Sequence, residues 1–112
     1  MIKRELIDYC ISMPESFEDY PFDNHTAVIK HSENKKMFAL IDIMDNKLYI
    51  NLKCEPMRAD FLRNVYKSVI PGYHMNKEHW NTIFIEGDVP IDELHSMIQE
   101  SYDLIKPKRG KK

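Results

Sequence analysis

Pro71-Gly72-Tyr73-His74-Met75-Asn76-Lys77-Glu78-His79-Trp80-Asn81-Thr82-Ile83 is the stretch on which the reading of this chain turns. A Pro-Gly breaker opens it, and a run of strand formers closes it. Between them stand two aromatics, two histidines, two asparagines and a lysine. Residues 73–76 and 80–85 read as two strands around Lys77-Glu78-His79, and the chain's one tryptophan lies in the second. A lone strand pair cannot bury its apolar side, so the rest of the sequence must supply further strands and covering helices.

Upstream, residues 26–31, 36–43 and 48–52 read as three strands joined by the polar turns Ser32-Glu33-Asn34-Lys35 and Met44-Asp45-Asn46-Lys47. In the second of them, alternation sets Met37, Ala39, Ile41 and Ile43 on one side and Phe38 and Leu40 on the other. Three helices frame these strands. Residues 2–13 carry Ile2, Leu6, Cys10 and Met13 at helical spacing and stop at Pro14. A second helix starts at Glu55-Pro56, with Met57, Phe61, Val65, Leu62 and Tyr66 as its apolar face. A third starts at Pro90-Ile91 and buries Ile91, Leu94, Ile98, Tyr102 and Ile105. Residues 14–24 are irregular, with Phe17, Tyr20 and Phe22 either pinning them over the core or lining a groove. The expectation is an α+β domain over residues 1–106, an antiparallel sheet packed by helices in the order α-β-β-β-α-β-β-α. A basic tail follows at 107–112.

At 112 residues the chain suits one domain, and its 43% hydrophobic content supports a core. The net charge of −2 is uneven. The last seven residues hold five of the 16 basic residues and no acid, which leaves the body at 11 basic against 18 acidic residues. An acidic body does not suit a general DNA clamp, although the tail is able to touch phosphates. No apolar run is long enough to cross a bilayer, and the amphipathic start lacks the core of a secretory signal, so a cytoplasmic protein with no membrane partner is expected.

Catalytic and metal chemistry find little support. The five histidines show neither HExxH nor paired Cys/His spacing. Cys10 and Cys54 form no CxxC pair, and no phosphate-cradling glycine motif occurs. No enzyme, cofactor or metal is expected. The 73–81 surface remains. Tyr73 and Trp80 suit stacking on bases or anchoring a protein, Asn76 and Asn81 suit base edges, and Lys77 suits a phosphate. Structural alternatives stand beside this reading: Trp80 and Met75 as core residues, Asn76 as a turn cap, His74 and His79 as structural or exposed without a role.

The same residues resemble the small bacterial YjbR/MmcQ family. The likeness runs from Pro71-Gly72-Tyr73-His74-Met75-Asn76-Lys77 into His79-Trp80-Asn81-Thr82-Ile83. It is joined by Lys53-Cys54-Glu55-Pro56, by Pro14 with Tyr20-Pro21-Phe22, and by Ser101-Tyr102-Asp103-Leu104. It extends over residues 1–106, with Glu55 where an aspartate is more usual. The resemblance implies a double-wing or CyaY-like α+β fold and a DNA-binding or regulatory role, and it carries no catalytic assignment. On this reading wing-like hairpins approach DNA through Tyr73, His74, Asn76, Lys77, His79, Trp80 and Asn81, with Lys108 and Arg109 of the tail adding phosphate contacts. The competing reading is a protein-interaction module or homodimer that uses Tyr20, Phe22, Tyr73 and Trp80 as exposed anchors.

Overall fold

A computed structural model describes residues 1–108. The elements in chain order are α1 (Lys3–Ile11), β1 (Ser16–Asp19), β2 (Ala27–His31), β3 (Met37–Met44), β4 (Lys47–Lys53), α2 (Pro56–Val65), β5 (Val69–Pro71), β6 (Trp80–Phe84) and α3 (Ile91–Ile105). The six strands form one antiparallel sheet in the order β1-β2-β3-β4-β6-β5.

The α+β architecture agrees with the sequence reading, but two strands are placed differently. Residues 16–19 of the segment read as irregular form β1, which pairs with β2 at the sheet edge. Its side chains are all half-buried, so no alternation betrays it. The strand expected at 73–76 is a loop; its place beside β6 is taken by Val69–Pro71. His74 there adopts a φ of 59°, a left-handed conformation that no strand accommodates. Gly72 makes the close approach that starts this loop. A Cβ on it would lie 2.8 Å from the Cβ of Trp80, and its N–H donates to the Trp80 carbonyl at 2.8 Å.

The β3–β4 hairpin turns on Asp45 and Asn46, both left-handed, which matches the twist of the flanking strands. A bulge shifts the β2–β3 register: Ile29 faces Ala39 while Lys30 faces Met37, so Phe38 is the extra residue. The bulge reverses the expected sides. Phe38 joins Ala39 and Ile41 in the main core, whereas Met37 joins Leu40 on the opposite face.

All three helices contribute to one core on one face of the sheet. Leu6, Ile7 and Cys10 of α1 and Leu94, Met97, Ile98, Tyr102 and Ile105 of α3 pack there with Ile29, Ile41, Ile50, Leu52 and Ile83. The α2 helix is turned away from its expected orientation. Ala59 and Leu62 are buried, while Met57, Phe61 and Val65 are exposed. The small Ala59 lets the helix come close enough for its carbonyl to accept a hydrogen bond from Asn81 of β6 at 3.2 Å. Ile91 likewise lies outside the buried stripe of α3.

Ser101 locks α3 to the sheet. Fully buried, its hydroxyl donates to the Phe38 carbonyl at 2.6 Å and accepts from the Lys53 N–H at 2.8 Å. Ser101→Ala leaves both backbone groups without that partner and is expected to cost about 1–3 kcal/mol. The loss is read from urea unfolding, with the exposed Met57→Ala as a near-neutral control.

Candidate functional site

The face opposite the helices has its own small apolar cluster, Val28, Leu40 and Tyr49, joined by Met37, Met44, Met75 and Phe84. The strand register explains it. Val28, Leu40, Asn51 and Thr82 form one row across the sheet, and Asp42, Tyr49 and Phe84 form the next. No helix covers these rows. Two loops close on them instead, one through Phe22 to Thr26 and one through Tyr73 to Met75, leaving a groove of about 480 Å³.

The Tyr73 loop is held by the sheet itself. Thr82 Oγ1 accepts from the Tyr73 N–H at 2.8 Å and donates to Asn51 Oδ1 at 2.5 Å, while Asn51 Nδ2 donates to the Tyr73 carbonyl at 3.3 Å. Asn51 and Thr82 are both buried, so this bridge is paired where water does not compete. It presents the half-exposed Tyr73 ring, tilted at 49° against His74 with ring centres 4.0 Å apart, at the groove's rim. Tyr49 lies beneath, 6% exposed, edge-on to Tyr73 and Phe84 at 6.4 Å each. Its hydroxyl makes no hydrogen bond with any described residue. Burial, followed by the negative charge of Asp42, pushes its pKa up.

At the other end two carboxylates converge on one hydroxyl. Thr26 Oγ1 lies 2.8 Å from Asp23 Oδ2 and 2.9 Å from Asp42 Oδ2. Asp23 also accepts from the backbone N–H groups of Thr26 and His25, which hold its pKa below the usual range. Burial works to raise the Asp42 pKa. The Ile43 N–H, the Thr26 hydroxyl, Lys3 and His25 outweigh it, so that carboxyl too sits below its ordinary value. His25 Nδ1 is 3.1 Å from Asp42 Oδ2, and Lys3 Nζ reaches Asp42 Oδ1 at 3.5 Å. Among the described residues no group of three or more His, Cys, Asp and Glu is arranged to hold a metal ion. No described helix is long and apolar enough to cross a membrane.

The residues singled out from sequence separate into different environments. Tyr73 and His74 line the groove. Asn81 points to the opposite face, 2% exposed, where it accepts from Arg63 Nε at 2.6 Å and donates to the Ala59 carbonyl. A base edge cannot reach it. Asn76 caps its own turn, its Oδ1 accepting from the N–H groups of Glu78 at 2.9 Å and His79 at 3.2 Å. Lys77 is exposed but its ammonium folds back to the Gly72 carbonyl at 2.8 Å. The His79 carbonyl accepts from the Cys54 N–H at 2.7 Å, and Trp80 is half-buried against Gly72. Lys108 stands beside Pro14, His31 and Tyr102, on a surface that shares no residue with the 72–79 loop. Arg109 lies outside the described residues. Sequence reasoning passed over Tyr49, Asn51 and Arg63, and it reads Asp42 with Asp45 as solvated turn acids, whereas Asp42 lies within β3; these roles appear only once strands and helices are paired.

The YjbR family model matches residues 11–104. The chain belongs to the YjbR family. It is similar to YyaQ of Bacillus subtilis, 38% identical over 100 residues, covering 79% of this chain and 84% of that protein. It is also similar to YjbR of Escherichia coli K12, 30% identical over 98 residues, covering 88% and 81%. A Pseudomonas syringae crystal structure superposes with a TM-score of 0.83 at 32% identity, covering 95% of this chain and all of that one. A Deinococcus radiodurans protein with a DUF419 domain gives 0.82 at 37% identity, covering 91% and 76%. The fold is thus shared over nearly the whole chain.

Asn81 serves this YjbR-family fold as a tie between α2 and β6. Asn81→Ala is therefore expected to destabilise the protein by about 1–3 kcal/mol. His74→Ala, at the exposed rim, should stay within about 0.5 kcal/mol of wild type in the same urea titration.

Proposed function

We propose that this chain is a non-enzymatic binding protein that takes a segment of a partner protein in the groove on the open face of its sheet. One observation carries the reading: Phe22, Ile43 and Tyr73, three of the large apolar side chains left exposed, line the same groove as Met37, Met44 and Met75. Exposed apolar side chains gathered in one place mark an interaction surface rather than ordinary scatter. Thioethers adapt to varied apolar shapes, and aromatic rims supply anchoring area at low entropic cost. Of the expected anchors, Phe22 and Tyr73 belong to this groove; Tyr20 and Trp80 do not line it. A non-enzymatic role is supported by two buried thiols, which burial pushes up to about 12 at Cys10 and about 11 at Cys54, far from nucleophilic readiness. Their free state suits the reducing cytoplasm. The test is affinity capture from nuclease-treated lysate. Phe22→Ala with Tyr73→Ala should abolish recovery of a partner held by the folded wild type, and recovery unchanged by that pair of substitutions would remove the groove from the account.

A nucleic-acid partner has a separate observation in its favour. Lys53 and Trp80 are cross-strand partners, Lys47 stands 6.0 Å over the Phe84 ring, and Lys77 is exposed on the adjoining loop. Lysines interleaved with aromatics suit single strands better than a duplex groove. With Asn81 buried and Asn76 occupied, such contact is to phosphate and base faces. Binding of this kind must weaken steeply with salt, and Lys77→Ala should lower affinity equally across sequences. No binding to an oligonucleotide at low salt ends this reading.

A further inference from the structure

The groove is apolar along its floor, yet its charged lining is one-sided. Asp23 and Asp42 line it, and neither lysine nor arginine does. Asp23 holds the N–H groups of His25 and Thr26, and Asp42 holds the Ile43 N–H, Lys3 and His25, but the two carboxylates share the remaining donor between them. The Thr26 hydroxyl has one proton and faces an oxygen of each, at 2.8 and 2.9 Å, so one of the two oxygens is met by a lone pair at any moment. His25, with its Nδ1 3.1 Å from Asp42 and its Nε2 3.6 Å from Asp23, offers one N–H while neutral. Lys3 approaches Asp42 from α1 at 3.5 Å and also donates to the His25 carbonyl. His74 is the remaining titratable nitrogen in the lining, beside Tyr73.

A second observation is independent of this acidic cluster. Tyr49 is the cross-strand partner of Asp42 and lines the same groove. Tyr49 is more than nine-tenths buried, while its hydroxyl has no hydrogen-bond partner among the described residues and keeps some exposure. The oxygen therefore opens onto the groove, a free acceptor in the same lining as the two carboxylates. Tyr73 and Phe22 bring aromatic surface to the same space.

We propose that the partner segment carries a basic residue, arginine above all, whose cation lodges between Asp42 and the Tyr49 hydroxyl while its apolar neighbours lie on Met37, Met44 and Met75. This rests on the groove-binding reading above and names the chemistry that the groove selects. A guanidinium supplies several donors in a plane, which suits two carboxylates and a phenol oxygen together, and it stacks on aromatic rings. An acidic segment would meet Asp23 and Asp42 with like charge.

The test uses four pools of acetylated, amidated hexapeptides. One position is fixed as arginine, lysine, citrulline or glutamate, and the other five are mixtures of leucine, methionine, phenylalanine and alanine. Each pool is titrated into the uniformly labelled full chain, and the amide shifts of Thr26, Asp42, Tyr49 and Met75 are followed. The arginine pool should bind about tenfold or more tightly than citrulline, which keeps the shape and loses the charge, and the glutamate pool should be weakest. Asp42→Asn and Tyr49→Phe should each shrink the arginine-over-citrulline ratio. Tyr49→Phe keeps the ring, so it carries the test if Asp42→Asn disturbs the fold. Equal binding of arginine and citrulline overturns the basic-residue inference and leaves the apolar groove standing. No shift from any pool overturns both.

Discussion

The one-sided covering of the sheet governs the rest of the molecule. Three helices are enough to bury one face of six strands, and α1, α2 and α3 all contribute to that single core. The other face has no helix left to shield it. Its apolar residues, Val28, Leu40 and Tyr49, must be covered by loops, and loops cover incompletely because their own backbone groups need partners. The buried pair Asn51 and Thr82 answers that need for one loop by holding both the N–H and the carbonyl of Tyr73. Asp23 answers it for the other by accepting from the N–H groups of His25 and Thr26. The groove is what these two closures leave between them.

Much of the helix-covered face was legible in the sequence, and the open face was not, for a physical reason. Leu6 and Cys10, or Leu94, Ile98, Tyr102 and Ile105, recur at helical spacing because a helix buries one stripe, and that stripe survives in a single chain read alone. The β3–β4 hairpin is equally local, set by two residues that tolerate a left-handed backbone. The open face depends on register. Asp42 beside Tyr49, and Asn51 beside Thr82, are neighbours across strands and separated in sequence. The bulge at Phe38 compounds this by exchanging the sides of Met37 and Phe38, which strict alternation cannot anticipate.

The polar residues near Trp80 show the same limit from the other direction. Asn76, Lys77 and Asn81 look like a recognition surface because they are polar, close in sequence and flanked by aromatics. Their hydrogen bonds are instead spent inward: Asn76 on its own turn, Lys77 on the Gly72 carbonyl, Asn81 on Arg63 and Ala59. Arg63 completes the arrangement by donating also to the carbonyls of Lys77 and Trp80, so α2 fixes the end of the 72–79 loop. What makes the stretch specific to the family is then largely loop construction. Three side chains, Tyr73, His74 and Met75, are carried to the groove by it.

This division of labour also explains why α2 leaves Met57, Phe61 and Val65 in solvent. A helix rotated to bury that wider stripe would carry Arg63 away from Asn81 and release the loop from its C-terminal end. Burying Met57, Phe61 and Val65 that way would turn Ala59 and Leu62 out of the core, so part of the hydrophobic gain is given back. It would also strand the buried Asn81 amide without its partners, a cost of about 1–3 kcal/mol, and free the Lys77 and Trp80 carbonyls that Arg63 holds. The fold retains the orientation in which the polar ties are complete and the Tyr73 ring stands over the open face. Arg63 at the Lys77 and Trp80 carbonyls, with Asn51 and Thr82 at Tyr73, anchors the loop at both ends, and that anchored loop closes one side of the groove.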